Sequence, residues 1–249
     1  MENDEEYENR VLDALRLSRT HTGVVERFVE GTEIQVDCVA VNSKAYVLMT
    51  RDKKKIFDDA DELQVGGFSV PGRVSEGLRK NISIIAQQIV DAFGIDNTPF
   101  FFQAIVDNNQ IYVLEFAPRV AGGTTYDLIS KYSGVDILDV AIDSFTKCPI
   151  RISPSDSKLH FCSRFLYMTP GVFDHLEGIN NLLSDGTVDY YYEFILKGRE
   201  ISSSLNSGNR VAAVVTKSDN WQEAEKRMDE AIGRLKVIDK DGVDRTKNV

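Results

Sequence analysis

The spacing of apolar positions changes several times along this chain, and each change predicts a different element. Over residues 4–18, Tyr7, Val11 and Leu15 recur every four positions behind an acidic first turn, which predicts a helix. From Gly23 the period falls to two, predicting strands at 24–31, 33–41 and 44–50. Residues 51–72 are polar and glycine-rich and predict a long loop. Over 73–94, Leu78, Ile82, Ile85, Ile89 and Phe93 form one apolar stripe, with Gly94 placed to cap the helix they predict. Two strands at 99–107 and 110–118 flank Asn108 and Asn109, residues that tolerate the left-handed backbone of a hairpin turn. Helical segments at 125–133 and 135–147 follow a glycine pair.

The stretch 148–157 holds two prolines and three serines, a boundary signal. Beyond it the pattern predicts strands at 159–168, 188–196 and 210–217. A closing helix at 220–235 carries Trp221, Ala224, Met228 and Ile232 on one side. The expected organisation is one domain over 1–150, a smaller one over 155–240, and a frayed tail at 241–249. The fold class is α+β, with mainly antiparallel sheets flanked by helices.

Composition narrows the partners. The net charge is -10, so an extended phosphate backbone is repelled and nucleic acid is not an expected partner. Phosphate would be held by a local pocket of Arg or Lys. The three cysteines form no CxxC pair, which argues against a disulfide framework or a thiolate zinc site and fits free thiols in a reducing cytoplasm. No apolar run is long enough to span a membrane, and the acidic N-terminus is unlike a signal peptide.

The chemistry concentrates in residues 100–123. A three-residue turn (Asn108, Asn109, Gln110) would pair Asp107 with Ile111 and set Gln103 opposite Glu115 on one face, two oxygen donors suited to a hard cation such as Mg²⁺. A two-residue turn would place them on opposite faces. Arg119, just past the strand, has the planar fork that grips phosphate, and Gly122 and Gly123 permit close backbone approach to an anion. Geometry alone leaves a metal site and a solvated strand face both open.

This stretch resembles the metal-binding hairpin of the ATP-grasp superfamily, notably the carbamoyl-phosphate synthase large subunit and related carboxylate–amine ligases. Gln103, Glu115, Pro118 and Arg119 fall on that motif. The run VVERFVEGTEIQVD at 24–37 resembles the adenine-side strands of the same fold. The resemblance implies a fold: an ATP-grasp C-terminal subdomain followed by a small α+β domain like that of biotin carboxylases. It also implies roles. Gln103 and Glu115 would be ligands to Mg²⁺ or Mn²⁺, Glu115 bridging two cations. Arg119 would hold a phosphate or acyl phosphate. Glu26 and the Val29 backbone would face adenine, and Glu33 ribose or a cation.

The implied activity uses ATP to activate a carboxylate or carbonate as an acyl phosphate for attack by an amine. Ala117 departs from the pattern: the family usually has Asn there, so one metal ligand is missing. The Gly-rich lobe that covers ATP is not found upstream of Tyr7. It is expected as a partner in cis or in trans, and this chain alone is expected to bind ATP weakly. Lys53–Lys55 lie after the adenine-side strands and are expected to be a solvated part of the 51–72 loop. A non-catalytic ATP-grasp-like binding or assembly module is the alternative function.

Overall fold

The computed structural model describes residues 3–57, 63–155, 157–202 and 207–247. These fall into two compact units, one ending at Glu30 and one beginning at Gly31. In the first, helix α1 (Asp4–Leu17) starts at an Asn3 cap whose side chain accepts from the Glu6 amide, with three acids in its first turn. The residues after it form no strand. Val24 and Phe28 are 85% and 83% exposed, so the alternation at 24–31 does not produce the expected strand. A strand exists only through a paired neighbour, and no described segment pairs with this one.

The second unit is built on a nine-stranded sheet whose described pairings are all antiparallel. Strands β1 (Thr32–Val41), β2 (Lys44–Phe57) and β3 (Leu63–Val70) form its middle; β2 begins as the strand expected at 44–50, but its second half and β3 lie where a loop was expected. On the far side of β1 come β4 (Thr98–Asp107) and then β5 (Gln110–Ala117). On the far side of β3 come β6 (His160–Met168), β10 (Arg210–Ser218) and β8 (Tyr190–Glu193). A small second sheet joins β7 (Gly171–Glu177) to β9 (Glu200–Ile201) and β11 (Lys236–Asp239). The expected boundary near 150 falls in an irregular segment, yet the large sheet runs across it through the β3–β6 pair. The described part of the tail is not frayed: β12 (Thr246–Lys247) pairs with β6. Residues 58–62 of the expected loop, and 248–249, lie outside the described residues.

Helix α2 (Glu76–Phe93) begins at a Ser75 cap and ends at Gly94 in the left-handed conformation, φ 62°. It buries Leu78, Ile82, Ala86, Ile89 and Val90. Phe93, the last residue of the helix, is 64% exposed and lies against the Phe116 ring. Opposite α2, the even-numbered residues of β1 (Ile34, Val36, Cys38, Ala40) pack with Phe100 and Phe102 of β4. Each of the buried Ile, Val and Phe side chains stabilises the fold by about 1.5–3 kcal/mol.

The other face of β1 changes character along its length. Val39 and Val41 join a core under α3 (Thr125–Ser133) and α4 (Ile137–Thr146). Glu33, Gln35 and Asp37 continue the same face as polar groups. A third core lies under α5 (Ile179–Ser184) and α6 (Trp221–Arg234), where Ala224, Met228 and Ala231 are buried.

Candidate functional site

The polar end of that face holds the candidate site. The β4–β5 turn has two residues, not three: Asp107 pairs with Gln110, and Asn108 and Asn109 sit at φ 45° and 64°. An unbroken ladder would then oppose Gln103 to Leu114 and turn Glu115 to the other face. A bulge prevents this. Ala104 pairs with Val113, Leu114 is left over, and Gln103 lies directly opposite Glu115. The expected juxtaposition is present, reached by another route. Glu115 is exposed. Arg119 is also exposed; its guanidinium lies 4.9 Å from the centre of the Phe101 ring, beside Gln103 on the same strand, and donates to the Val120 carbonyl. Ala117 pairs with Phe101 and offers no donor atom.

Glu33 and Gln103 are joined by a group expected elsewhere. The Lys53 ammonium lies 2.5 Å from Glu33 Oε1 and 2.5 Å from Gln103 Oε1. Lys55 reaches the second Glu33 oxygen at 2.9 Å. The lysines therefore belong to strand β2 and its polar face, not to a solvated loop. Burial disfavours the Glu33 carboxylate, but the two ammonium groups outweigh it and hold its pKa below the usual glutamate value. The alternating spacing of Arg51, Lys53 and Lys55 was the available signal, because period two on a continuing strand puts all three on one face.

Deeper in the sheet, Asp37 Oδ2 and Arg51 Nε face each other at 3.6 Å, both buried. Burial pushes the Asp37 carboxyl up, only partly countered by Arg51 and by the 2.8 Å hydrogen bond from Gln35. A cavity of about 250 Å³ opens beside them, lined by Arg51, Lys53, Arg210, Gly122, Gly123 and Thr124 among others. Its lining carries three cationic side chains and no carboxylate, in a chain of net charge -10. Arg51 Nε and Thr124 Oγ1 are buried without a hydrogen-bond partner. Thr124 is the cap residue of α3 and makes no capping bond there. A Cβ added at Gly122 or Gly123 would enter open space. The donor set fits an anion. Sequence reasoning found the glycines and missed Arg51, Thr124 and Arg210, which lie far apart in the chain.

The face also fits a cation. Gln103 and Glu115 supply hard oxygen donors, and an ammonium ion already sits against Gln103 and Glu33. Among the described residues there is no cluster of three or more His, Cys, Asp or Glu side chains, so water would complete any such coordination. Glu26 and Val29 belong to the other unit. Glu26 is exposed and lines a cavity of about 300 Å³ with Arg10, Val11, Leu15 and Val24, and Val29 is half-buried.

A strand hairpin with paired Gln and Glu, an arginine beyond it, and a cationic cavity at the start of the next helix have donor sets suited to a cation and to phosphate. A family model described as an ATP-grasp domain matches residues 3–127, and one described as L-amino acid ligase C-terminal domain 2 matches residues 164–239. The chain belongs to the ATP-grasp family.

Among curated relatives, it is 29% identical over 140 residues to the mitochondrial carbamoyl-phosphate synthase (ammonia) of Aquarana catesbeiana, covering 55% of this chain and 9% of that protein. It is 24% identical over 137 residues to the carbamoyl phosphate synthase large chain of Clostridium acetobutylicum, covering 54% of this chain and 12% of that one. Among solved structures, it resembles the L-amino acid ligase of Bacillus licheniformis (TM-score 0.76, 18% identity, 96% of this chain and 60% of that one). It also resembles phosphoribosylglycinamide synthetase from Anaerococcus prevotii (TM-score 0.75, 18% identity, 96% and 61%). At this identity the structural likeness establishes the fold: an α+β chain with a large antiparallel sheet flanked by helices. Among the described residues, no helix is long and apolar enough to cross a membrane.

Proposed function

We propose that this chain contributes the phosphate and cation side of an ATP-dependent ligase, one that activates a carboxylate or carbonate as an acyl phosphate for attack by an amine. The observation that carries this reading is Gln103 opposite Glu115 beside a cavity of three cationic side chains. Arg51, Lys53 and Arg210 would hold the anionic substrate in that cavity, with amides at the start of α3 completing its shell. Arg119 would grip the transferring phosphoryl group. Gln103 and Glu115 would hold Mg²⁺ or Mn²⁺, which when bound neutralises phosphate charge. Glu26 and the Val29 backbone would serve adenine. Glu33 would act toward ribose or the cation through the lysines it holds. The family membership of residues 3–127 supports an ATP partner. The chain spans a small part of its curated relatives, and the reading gives the Gly-rich lobe over ATP to a further segment in cis or in trans. We also propose a cytoplasmic setting for this small-molecule chemistry.

Calorimetry with ADP, with and without Mg²⁺, tests the binding half on this chain. Phosphate release from ATP, with the Gly-rich lobe supplied and a panel of carboxylates and amines added, tests the reaction. Nucleotide binding that requires the cation and fails in Glu115→Ala is the expected result. Nucleotide binding indifferent to both would remove the reading. A non-catalytic binding module is the second reading, favoured by Ala117 where a further metal donor would stand. It predicts cation-dependent nucleotide binding without carboxylate-dependent phosphate release.

A further inference from the structure

Lys53 is placed where a cation would be. Its ammonium is within 2.5 Å of one oxygen of Glu33 and of the Gln103 amide oxygen, and its side chain is 13% exposed. Lys55 occupies the other Glu33 oxygen. Ala117, next along β5 on the face that carries Glu115, has no donor atom. The oxygen atoms at the hairpin end of this face are thus divided: Glu33 and the Gln103 amide face the Lys53 ammonium, and Glu115 has no hydrogen bond or ion pair among the described residues.

We propose that Lys53 is a tethered cation that takes the place of a divalent ion between Glu33 and Gln103, leaving the hairpin to hold a single exchangeable cation beside Glu115. The inference rests on the ligase reading for its role in catalysis but not for its test. Hard oxygen donors arranged around one ammonium ion are equally suited to a divalent metal. A fixed positive charge on them repels a second metal ion and competes with it for both donors. The lysine also lines the cationic cavity, so a single side chain supplies positive charge to both the hairpin and the anion.

The test is the binding of Mn²⁺ alone, followed by the loss of the free-ion electron paramagnetic resonance signal, to the wild-type chain, Lys53→Met and Lys53→Met/Glu33→Gln. Lys53→Met keeps the aliphatic stem and removes the charge. It should tighten Mn²⁺ binding about tenfold or more or add a second bound ion, a size typical of groups adjoining a metal site. The gain should vanish in the double variant, because Glu33 is the donor the lysine releases. Lys53→Gln gives an independent measurement should the methionine variant melt early. Mn²⁺ isotherms that are unchanged or weaker in both single variants overturn the proposal. Since no nucleotide is present, a ligase reading that fails on phosphate release leaves this result standing, and the reverse also holds.

Discussion

Gln103 stands directly across the β4–β5 ladder from Glu115 only because Leu114 is an extra residue on β5. The two-residue turn sets one register, and the bulge shifts it by one before the strand reaches Glu115. Side-chain period two makes that shift decisive, since a one-residue slip exchanges the faces of a strand. The hairpin therefore carries two coupled local features, an Asn108–Asn109 turn and a bulge, that together place one amide and one carboxylate side by side.

Glu115 is exposed and makes no hydrogen bond or ion pair among the described residues, so its removal should separate binding from stability. Glu115→Ala is expected to weaken Mn²⁺ binding about tenfold or more. Its unfolding free energy should stay within about 0.5 kcal/mol of wild type, as for surface positions generally. Metal titration alongside urea unfolding checks both. A large stability loss would mean the side chain supports the hairpin itself.

The turn makes its own prediction. Asn109 sits at φ 64°, a conformation that glycine adopts without the steric cost an L side chain meets. Asn109→Gly should stabilise the chain by about 0.5–1 kcal/mol, and Asn109→Val should destabilise it by about 1 kcal/mol or more. The valine variant should also lose cation affinity, because a distorted turn loosens the register of Gln103 against Glu115. Thermal melts and Mn²⁺ titration of the two variants read these effects separately.

Much of this architecture was legible from periodicity. Helix α2 has a strong stripe, a serine cap and a terminal glycine, and local signals of that kind survive folding unchanged. The Gln103–Glu115 pairing was also legible, although the turn length was not, because a bulge leaves no mark in the apolar pattern. Residues 24–31 alternate convincingly yet form no strand, since alternation states which face would be buried and not whether a neighbour exists. Lys53 and Lys55 failed in the opposite sense. Their charge suggested solvent, but the carboxylate that receives them, Glu33, is 20 and 22 residues away on β1. Arg51, Thr124 and Arg210 come from three separate elements, and only the closed sheet brings them to one cavity.

Glu33 should leave a mark on acid stability. Its pKa is lowered in the folded chain, where Lys53 and Lys55 outweigh the burial that opposes its charge. A lowered folded value means the contribution is fully present above the unfolded glutamate value near 4.5 and is lost as pH falls through the lower folded value. The stability difference between wild type and Glu33→Gln should be constant above about pH 5.5 and shrink as the pH drops below 4.5. Urea unfolding of both proteins across this range tests the sign. A difference that grows on acidification would contradict the two-lysine account of Glu33.

Asp37 and Arg51 offer the sharpest division between fold and site. Both are buried, and each is the other's nearest counter-charge. Removing one leaves a buried charge uncompensated, so Asp37→Asn and Arg51→Met should each cost about 3–5 kcal/mol. The double variant should cost less than the sum, with a coupling of about 1–3 kcal/mol, because the second change removes the stranded charge. Binding should divide differently. Arg51 lines the cationic cavity, its Nε ion-paired with Asp37 at 3.6 Å but without a hydrogen bond, whereas Asp37 is not part of the lining. Inorganic phosphate affinity should therefore fall in Arg51→Met and be retained or strengthened in Asp37→Asn, which frees the guanidinium for the ligand. If both variants lose phosphate affinity in proportion to their lost stability, Arg51 serves the sheet alone and the cavity takes its anion through Lys53 and Arg210.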